Sequence, residues 1–303
     1  MIIGPGRLGL ALAIALQEAD YPIVAFVSRR VSHARKAARL FNETEKLVRP
    51  LGADQLTQLP QSDLIIIATP DDAIEEIARR LAAAESVSSR PSRNARRRTV
   101  LHTSGALSSE VLGALAQTGF HTGSLHPLVS VSEPSAGAQA LRGAFFCLEG
   151  DKAARKLAGK IVSDLGGASF SIRPENKALY HAAAVMASGH VVALFDLATQ
   201  MLAACGLNPR SARRILLPLV ESAIANLKVF NTAAALTGTF SRGDVATVKR
   251  HLKALSQKEL EEAFTVYKLL GLHSVEMAQK NGIEPKARNQ IRKLLESPKV
   301  RKE

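Results

Sequence analysis

The amino-acid sequence predicts an α/β protein in two parts, a doubly wound parallel sheet followed by an all-α domain, and three observations carry that prediction. Short β-rich apolar runs alternate with helical periodicity through the first half of the chain, the pattern of strands joined by crossover helices. Residues Leu64-Ile65-Ile66-Ile67-Ala68 form a continuous apolar run, as a central strand covered by helices on both faces requires. From Asn176 onward no convincing strand remains and long helical patterns take over. The 303 residues are also about two domains' worth of chain at roughly 150 residues each.

The chain opens on an apolar stub, Met1-Ile2-Ile3, which reads as a strand end, and a helix follows from Leu10 to Leu16. Further strands are expected at 21–27, 64–68, 99–102, 119–126 and 144–149. A helix over 152–165 and a strand over 168–172 finish the sheet, and Pro174 then breaks the chain. The boundary therefore falls near residue 173, giving a sheet domain over 1–173 and a helical domain over 174–303. Helices of the second domain are expected over 176–204, 209–227, 245–255 and 257–279, with a basic tail after Pro285. Residues 178–207 are apolar enough to cross a bilayer but carry His181, Ser188, His190, Asp196 and Gln200, so they read as a buried core helix and no membrane span is expected. The helical half is rich in Ala and Leu on more than one face, notably over 178–207 and 215–224. A helix apolar all round needs cover on every side, and about 130 residues offer little interior, so a homodimer through residues 174–303 is expected.

Forty basic and 27 acidic residues leave a net charge of +13, which invites nucleic acid, an anionic membrane or a phosphate-rich ligand. Aromatics are only 4% of the chain and Trp is absent, thin material for stacking on bases, so nucleic acid ranks low. The Ser- and Arg-rich segment 85–98 reads as an exposed loop. Cys147 and Cys205 lie in apolar settings and make no metal-spaced pair, so neither a disulfide nor a metal is expected, and a reducing cytoplasm fits best. The N-terminus runs straight into a glycine motif, with no basic, apolar and cleavage regions of an export signal.

That motif, Gly4-Pro5-Gly6-Arg7-Leu8-Gly9, has G-x-G-x-x-G spacing between a strand end and a helix. Gly4 permits the tight turn, Gly6 lets backbone amides approach a pyrophosphate, and Gly9 lets the helix pack close to the strand. The phosphate then sits on the helix N-terminus. At the end of the second strand, where NAD-binding proteins place an acidic residue for the ribose, this chain has Ser28-Arg29-Arg30. A hydroxyl and guanidinium groups suit a 2′-phosphate, so NADP(H) is expected over NAD(H). Ala68, Thr69 and Pro70, with Thr103 from the next strand, are expected to line the cofactor, while Asp71 and Asp72 start a helix.

His102-Thr103-Ser104-Gly105 and the stretch from His121 to His126 and Pro127 deliver polar residues to the same carboxyl edge. A hydroxyl and an imidazole there suit carbonyl polarisation and proton donation. Lys177, His181, Ala184 and Ser188 follow helical spacing and share one face, a substrate wall or an interdomain hydrogen-bonded seam. The candidate catalytic residues are therefore His181, His126, Ser104, Lys177 and Ser188. A later polar loop carries Thr237, Arg242 and Asp244 ahead of a helix with His251. Arg242 either holds an acidic group of a substrate or pairs with Asp244 at the helix start, and these three are candidates for substrate or partner-subunit contact.

With these residues in hand, the chain resembles the Rossmann-like oxidoreductases whose C-terminal half is the domain of unknown function 2520. The motifs that carry the resemblance are Gly4 to Gly9 with Ser28-Arg29, His102 to Ser108, Ser124-Leu125-His126-Pro127-Leu128, Leu179 to Ala184, and Ala235 to Gly238 with Arg242-Gly243-Asp244 and His251. More distantly it is similar to pyrroline-5-carboxylate reductases and 3-hydroxyacid dehydrogenases, which join a dinucleotide domain to an all-helical dimerisation domain of the 6-phosphogluconate dehydrogenase C-terminal kind. The resemblance implies an NADP-dependent oxidoreductase, a homodimer, and a helical stripe facing the cofactor domain. That stripe favours His181 as proton donor, with His126 orienting the substrate or packing beneath the nicotinamide. The chain departs from the family pattern at Gly189-His190, where Asn and an aromatic are common, and at Thr239-Phe240-Ser241, in place of a Pro-aliphatic-small stretch. The expected protein is a cytoplasmic NADPH-dependent reductase of a small carbonyl or imine, working in a cleft between its domains. Its rivals are a non-catalytic NADP(H)-binding regulator, which needs the same glycine loop but no proton donor, and a nucleic-acid binder through Arg90 to Arg98 and the Lys299, Arg301 and Lys302 tail.

Overall fold

The computed structural model describes residues 1–41, 47–87 and 98–297. Most of the expected basic loop and the Lys299, Arg301 and Lys302 end of the tail therefore lie outside the described residues, while the start of the expected tail is helical, over Pro285–Glu296. Contacts divide the chain into two compact units, Met1–Ser188 and Gly189–Glu303.

The first unit is built on one eight-stranded sheet. Its elements run β1 (Ile2–Ile3), α1 (Arg7–Glu18), β2 (Ala25–Ser28), α2 (Val31–Arg39), β3 (Arg49–Gly52), β4 (Leu64–Ile67), α3 (Asp71–Val87), β5 (Thr99–His102), α4 (Gly113–Gln117), β6 (His121–Pro127), α5 (Pro134–Leu141), β7 (Phe145–Gly150), α6 (Lys152–Asp164), β8 (Ala168–Phe170) and α7 (Lys177–Ala187). The strand order is β3-β2-β1-β4-β5-β6-β7-β8, and the reversal between β1 and β4 is where such sheets open a crevice for ligands. Every pairing is parallel except β6 with β7, which is antiparallel. That exception has a local cause. After β6 the chain stays at the carboxyl edge, where α5 packs on α1 with Gly137 against Ala11, and β7 re-enters the sheet from that same edge.

Alternate residues of β4 fill the two layers. Ile66 joins Leu12, Leu16, Phe26, Leu101, Phe146 and Ile161 on one face, while Ile65 and Ile67 join Val27, Ile74, Leu81, Val100 and Leu112 on the other. The strand is covered on both sides, as its unbroken apolar run requires.

The expected helix over 176–204 is in fact two. It stops at Ala187, Ser188 takes φ −127° and ψ −81°, and α8 (Gly189–Ala204) begins anew. The Ser188 hydroxyl donates to the Ala184 carbonyl at 2.7 Å, a side-chain bond that competes with the helix ladder. Because α7 packs with the sheet, the break in contacts lies one helix beyond residue 173. The expectation of a buried core helix is also corrected. Residues Pro174–Ala204 are long and apolar enough to cross a membrane, yet none of that apolar window is buried within the chain. Lys177, Tyr180 and His181 nonetheless tie α7 to the sheet loops.

The second unit continues with α9 (Pro209–Val229), α10 (Thr232–Ala235), α11 (Val245–Leu255), α12 (Glu261–Lys280) and α13 (Pro285–Glu296). Its core clusters are small, Val248, Val275, Ile291 and Leu295 in one and Leu255, Leu260 and Ala263 in the other.

Candidate active site

At the start of the sheet, the Gly4 amide donates to the Val27 carbonyl at 2.9 Å and the Gly6 amide to the Gly4 carbonyl at 2.8 Å. Gly4 has φ +92°, and a Cβ on Gly9 would collide with the Gly4 carbonyl. The loop can therefore be this tight only with glycine at both positions. Space beside Gly6 is open, and no side chain caps α1 or places an acid in its first turn, which leaves its amides and positive dipole end for an anion. Ala68 packs against Gly4 and Gly9. Beside it, the Thr69 Oγ1 is buried without a hydrogen-bond partner, a costly arrangement unless a ligand completes it. Pro70 and Arg7 are exposed, Pro5 is half-buried, and Leu8 packs on the core. Ser28 ends β2 half-buried, and Arg29 and Arg30 stand exposed beside α2, which also lacks a side-chain cap. The residues present thus fit the phosphates of a dinucleotide.

The loops after β4, β5 and β6 form one connected cluster. Ser104 Oγ donates to Asp71 Oδ2 at 2.8 Å and accepts from the amides of Ala106 and Leu107 at 3.1 and 3.0 Å. Its hydroxyl is fully engaged in holding the loop. Thr103 is buried, its amide bonded to the Ile67 carbonyl. Asp71 and Asp72 occupy the first turn of α3, where a carboxylate favours the helix dipole.

Lys177, at the start of α7, is 1% exposed. Its Nζ donates to Ser124 Oγ at 2.7 Å and to the Ser104 carbonyl at 3.1 Å, and no carboxylate among the described residues pairs with it. Burial pulls its pKa down. His102 lies fully buried between the Ser104 amide on Nδ1 and the Ser108 carbonyl on Nε2. Burial, and then the Lys177 charge, hold His102 down to about 3 and His126 down to about 4. Both imidazoles are neutral at ordinary pH.

His126 and His181 meet over Gly105. Their rings are 5.7 Å apart, edge to face. A Cβ on Gly105 would lie 2.6 Å from His181 Cδ2 and 2.7 Å from His126 Nε2, so any larger residue would displace the two rings. On its other side His126 Nδ1 is bonded to the Tyr180 hydroxyl at 2.6 Å. Burial pushes the Tyr180 and Cys147 pKa values up.

Of the expected catalytic residues, His126, His181, Ser104 and Lys177 come together here, whereas Ser188 lies past the end of α7, exposed and bonded back to Ala184. Tyr180, Ser124 and Asp71 are site residues that sequence reasoning did not assign. Tyr180 stands about one helical turn from Lys177 and inside the Leu179-to-Ala184 motif, the two signals that could have found it. In the second unit Asp244 caps α11 by accepting from the Thr247 amide at 2.9 Å. No ion pair joins it to Arg242 among the described residues, and Arg242 and Thr237 are exposed. Among the described residues no group of three or more His, Cys, Asp or Glu is arranged to hold a metal.

Solved structures share this fold across nearly the whole chain. A protein from Thermotoga maritima is 24% identical, with a TM-score of 0.68, covering 92% of this chain and 98% of its own. A protein of Bacteroides fragilis, provisionally named an NADP oxidoreductase, is 22% identical, with a TM-score of 0.69, over 91% and 96% of the two chains. The pyrroline carboxylate reductase of Plasmodium falciparum, solved with NADP bound, is 13% identical, with a TM-score of 0.54, over 95% and 96%. No curated protein matches the sequence. Residues 1–127 match the Rossmann-like domain and residues 144–274 match the domain of unknown function 2520, so the chain joins a Rossmann-like domain to that second domain.

Proposed function

We propose that this protein is an NADP(H)-dependent oxidoreductase that reduces a small carbonyl or imine at the carboxyl edge of its sheet. The observation that carries the reading is a continuous path of contacts. The orphaned Thr69 hydroxyl beside the glycine loop lies two residues from Asp71, which holds Ser104, whose neighbour Gly105 supports His126 and His181. Gly4 to Gly9 and the α1 N-terminus would hold the pyrophosphate, and Ser28, Arg29 and Arg30 the 2′-phosphate. When bound, the nicotinamide supplies the hydride. His181 gives the proton to the heteroatom that gains it. His126, neutral at ordinary pH, orients that atom, and Lys177 holds the Ser104-Gly105 loop against β6. The names of the Bacteroides and Plasmodium proteins support the cofactor choice.

The working protein is a homodimer through its helical part. Val192 and Leu194 on α8 and Leu219 and Leu227 on α9 are exposed in the single chain, a larger apolar surface than a monomer keeps. A second copy is the occupant that would cover the faces of both helices at once. Both cysteines are free, which suits the cytoplasm. Steady-state NADPH oxidation with a panel of small ketones, aldehydes and cyclic imines tests the reading. Tight NADPH binding without turnover of any of them would favour a regulator instead.

A further inference from the structure

Tyr180 has no role in the scheme above, yet it makes the shortest hydrogen bond to either of the two histidines that meet over Gly105. We infer that Tyr180 fixes the His126 imidazole as a hydrogen-bond donor, with its single N–H on Nε2, so that the site is built for a carbonyl oxygen and against a protonated imine. The inference rests on reading this edge as the reducing site, and it adds the class of group reduced there.

His126 Nδ1 and the Tyr180 oxygen lie 2.6 Å apart. One hydrogen lies between them, and either group can be its donor. If Nδ1 carried it, the phenolic hydrogen would need another acceptor. The neighbour on that side is the Cys147 thiol, and a thiol sulfur accepts weakly while an imidazole nitrogen accepts well. The stable order is therefore Tyr180 O–H to His126 Nδ1. A neutral imidazole then has its hydrogen on Nε2. His126 is kept neutral by burial and by the nearby Lys177 ammonium, so both ring nitrogens do not become donors together.

Nε2 lies on the side away from Tyr180, beside Gly105 and the His181 ring. No residue of the first unit among those described accepts a hydrogen bond from it, whereas the charged groups Asp71, Glu149 and Lys177 are engaged. Asp71 is bonded to Ser104, Glu149 to the Ser109 amide and hydroxyl, and Lys177 to Ser104 and Ser124. A free N–H one loop away from a buried ammonium that bonds to Ser104 and Ser124 and to no carboxylate among the described residues favours a lone-pair oxygen. A protonated imine would bring a second cation, and its N–H would meet the Nε2 donor, which costs both repulsion and an unmade bond.

Nuclear magnetic resonance of the full-length protein with 15N-labelled histidine tests this without cofactor or turnover. At pH 7 the His126 ring should show a protonated Nε2 and a bare Nδ1, and Tyr180→Phe should turn it into a mixture of tautomers. Acetate and methylammonium, added separately at equal ionic strength, serve as oxygen-acceptor and cation probes. Acetate should shift the His126 Nε2 signal and methylammonium should not. A protonated Nδ1 in the parent protein, an unchanged tautomer in Tyr180→Phe, no shift with acetate, or a shift with methylammonium would each overturn the inference. An absence of NADPH binding with these spectra intact would instead overturn the proposed function alone.

Discussion

In the first unit the apolar strands of the sheet have helices on each side to cover them, and in the second α8 and α9 have no such cover. Phe26, Ile65, Ile67 and Phe146 on the sheet are fully buried between two layers of helices. By contrast α8 buries none of its residues and α9 only Ala212. Both regions are rich in aliphatic side chains, so composition is not the difference. A sheet with helices on both faces closes its own core, while helices apolar on several sides cannot do so within so small a unit. The sheet of the first unit carries its stability internally, whereas α8 and α9 expose the apolar faces that the proposed second copy would cover.

The largest expected effect tests the second half of that contrast. Leu219 is 66% exposed on α9. If it is covered in a symmetric dimer, Leu219→Asp removes about 2 kcal/mol of burial from each copy, about 4 kcal/mol in all, or roughly 10³-fold in the association constant. Sedimentation equilibrium reads this directly. A parent protein that already runs as a 32.4 kDa monomer at micromolar concentration would remove the premise.

Acid should loosen the first unit specifically. His102 and His126 are held down to about 3 and about 4 in the folded chain, against about 6.5 unfolded. Below 6.5 the unfolded chain therefore binds more protons than the folded one, so stability is complete above pH 6.5 and is lost as the pH falls through 6.5 toward the folded values. By pH 5 the loss is about 2 kcal/mol for each ring. Denaturant titrations at pH 7 and pH 5 should show it, and His102→Asn should reduce the difference. Equal stability at the two pH values would mean that the imidazoles are not desolvated as described.

How much of this was legible in the sequence follows the same contrast. The glycine loop, the buried β4 and the carboxyl-edge residues were readable because each depends on neighbours within a few positions. Strand β3 was not located, since Arg49-Pro50-Leu51-Gly52 has no apolar run and pairs only because β2 is already in place. The antiparallel β7 was missed because its direction follows from where α5 packs. Ser188 was assigned to a helical stripe that ends one residue before it. Tyr180 went unassigned because its partner, His126, lies 54 residues away in sequence.

A smaller effect separates the two histidines over Gly105. His181→Gln should lower turnover by roughly 10²-fold while NADPH affinity, read by calorimetry, stays nearly unchanged. If turnover survives in His181→Gln and is lost in His126→Gln, the roles are reversed. If it survives in both, Lys177 becomes the candidate acid.

The smallest expected effect concerns the edge of the first unit most distant from this cluster in the strand order. Arg29 follows β2, exposed, with an uncapped helix start beside it and no carboxylate partner among the described residues. Its guanidinium has nothing in the fold to hold, so its removal should leave thermal stability unchanged while exposing any role in binding. A guanidinium on a 2′-phosphate makes charge-assisted hydrogen bonds, and Arg29→Asp replaces them with repulsion. NADPH binding should weaken by ~2 kcal/mol, roughly 30-fold, whereas NADH, which lacks the phosphate, should bind almost as before. Calorimetric titration of both cofactors against both proteins gives the ratio. Equal losses for NADPH and NADH would show that Arg29 does not read the 2′-phosphate, and attention would pass to Arg30, the next residue on the same exposed corner.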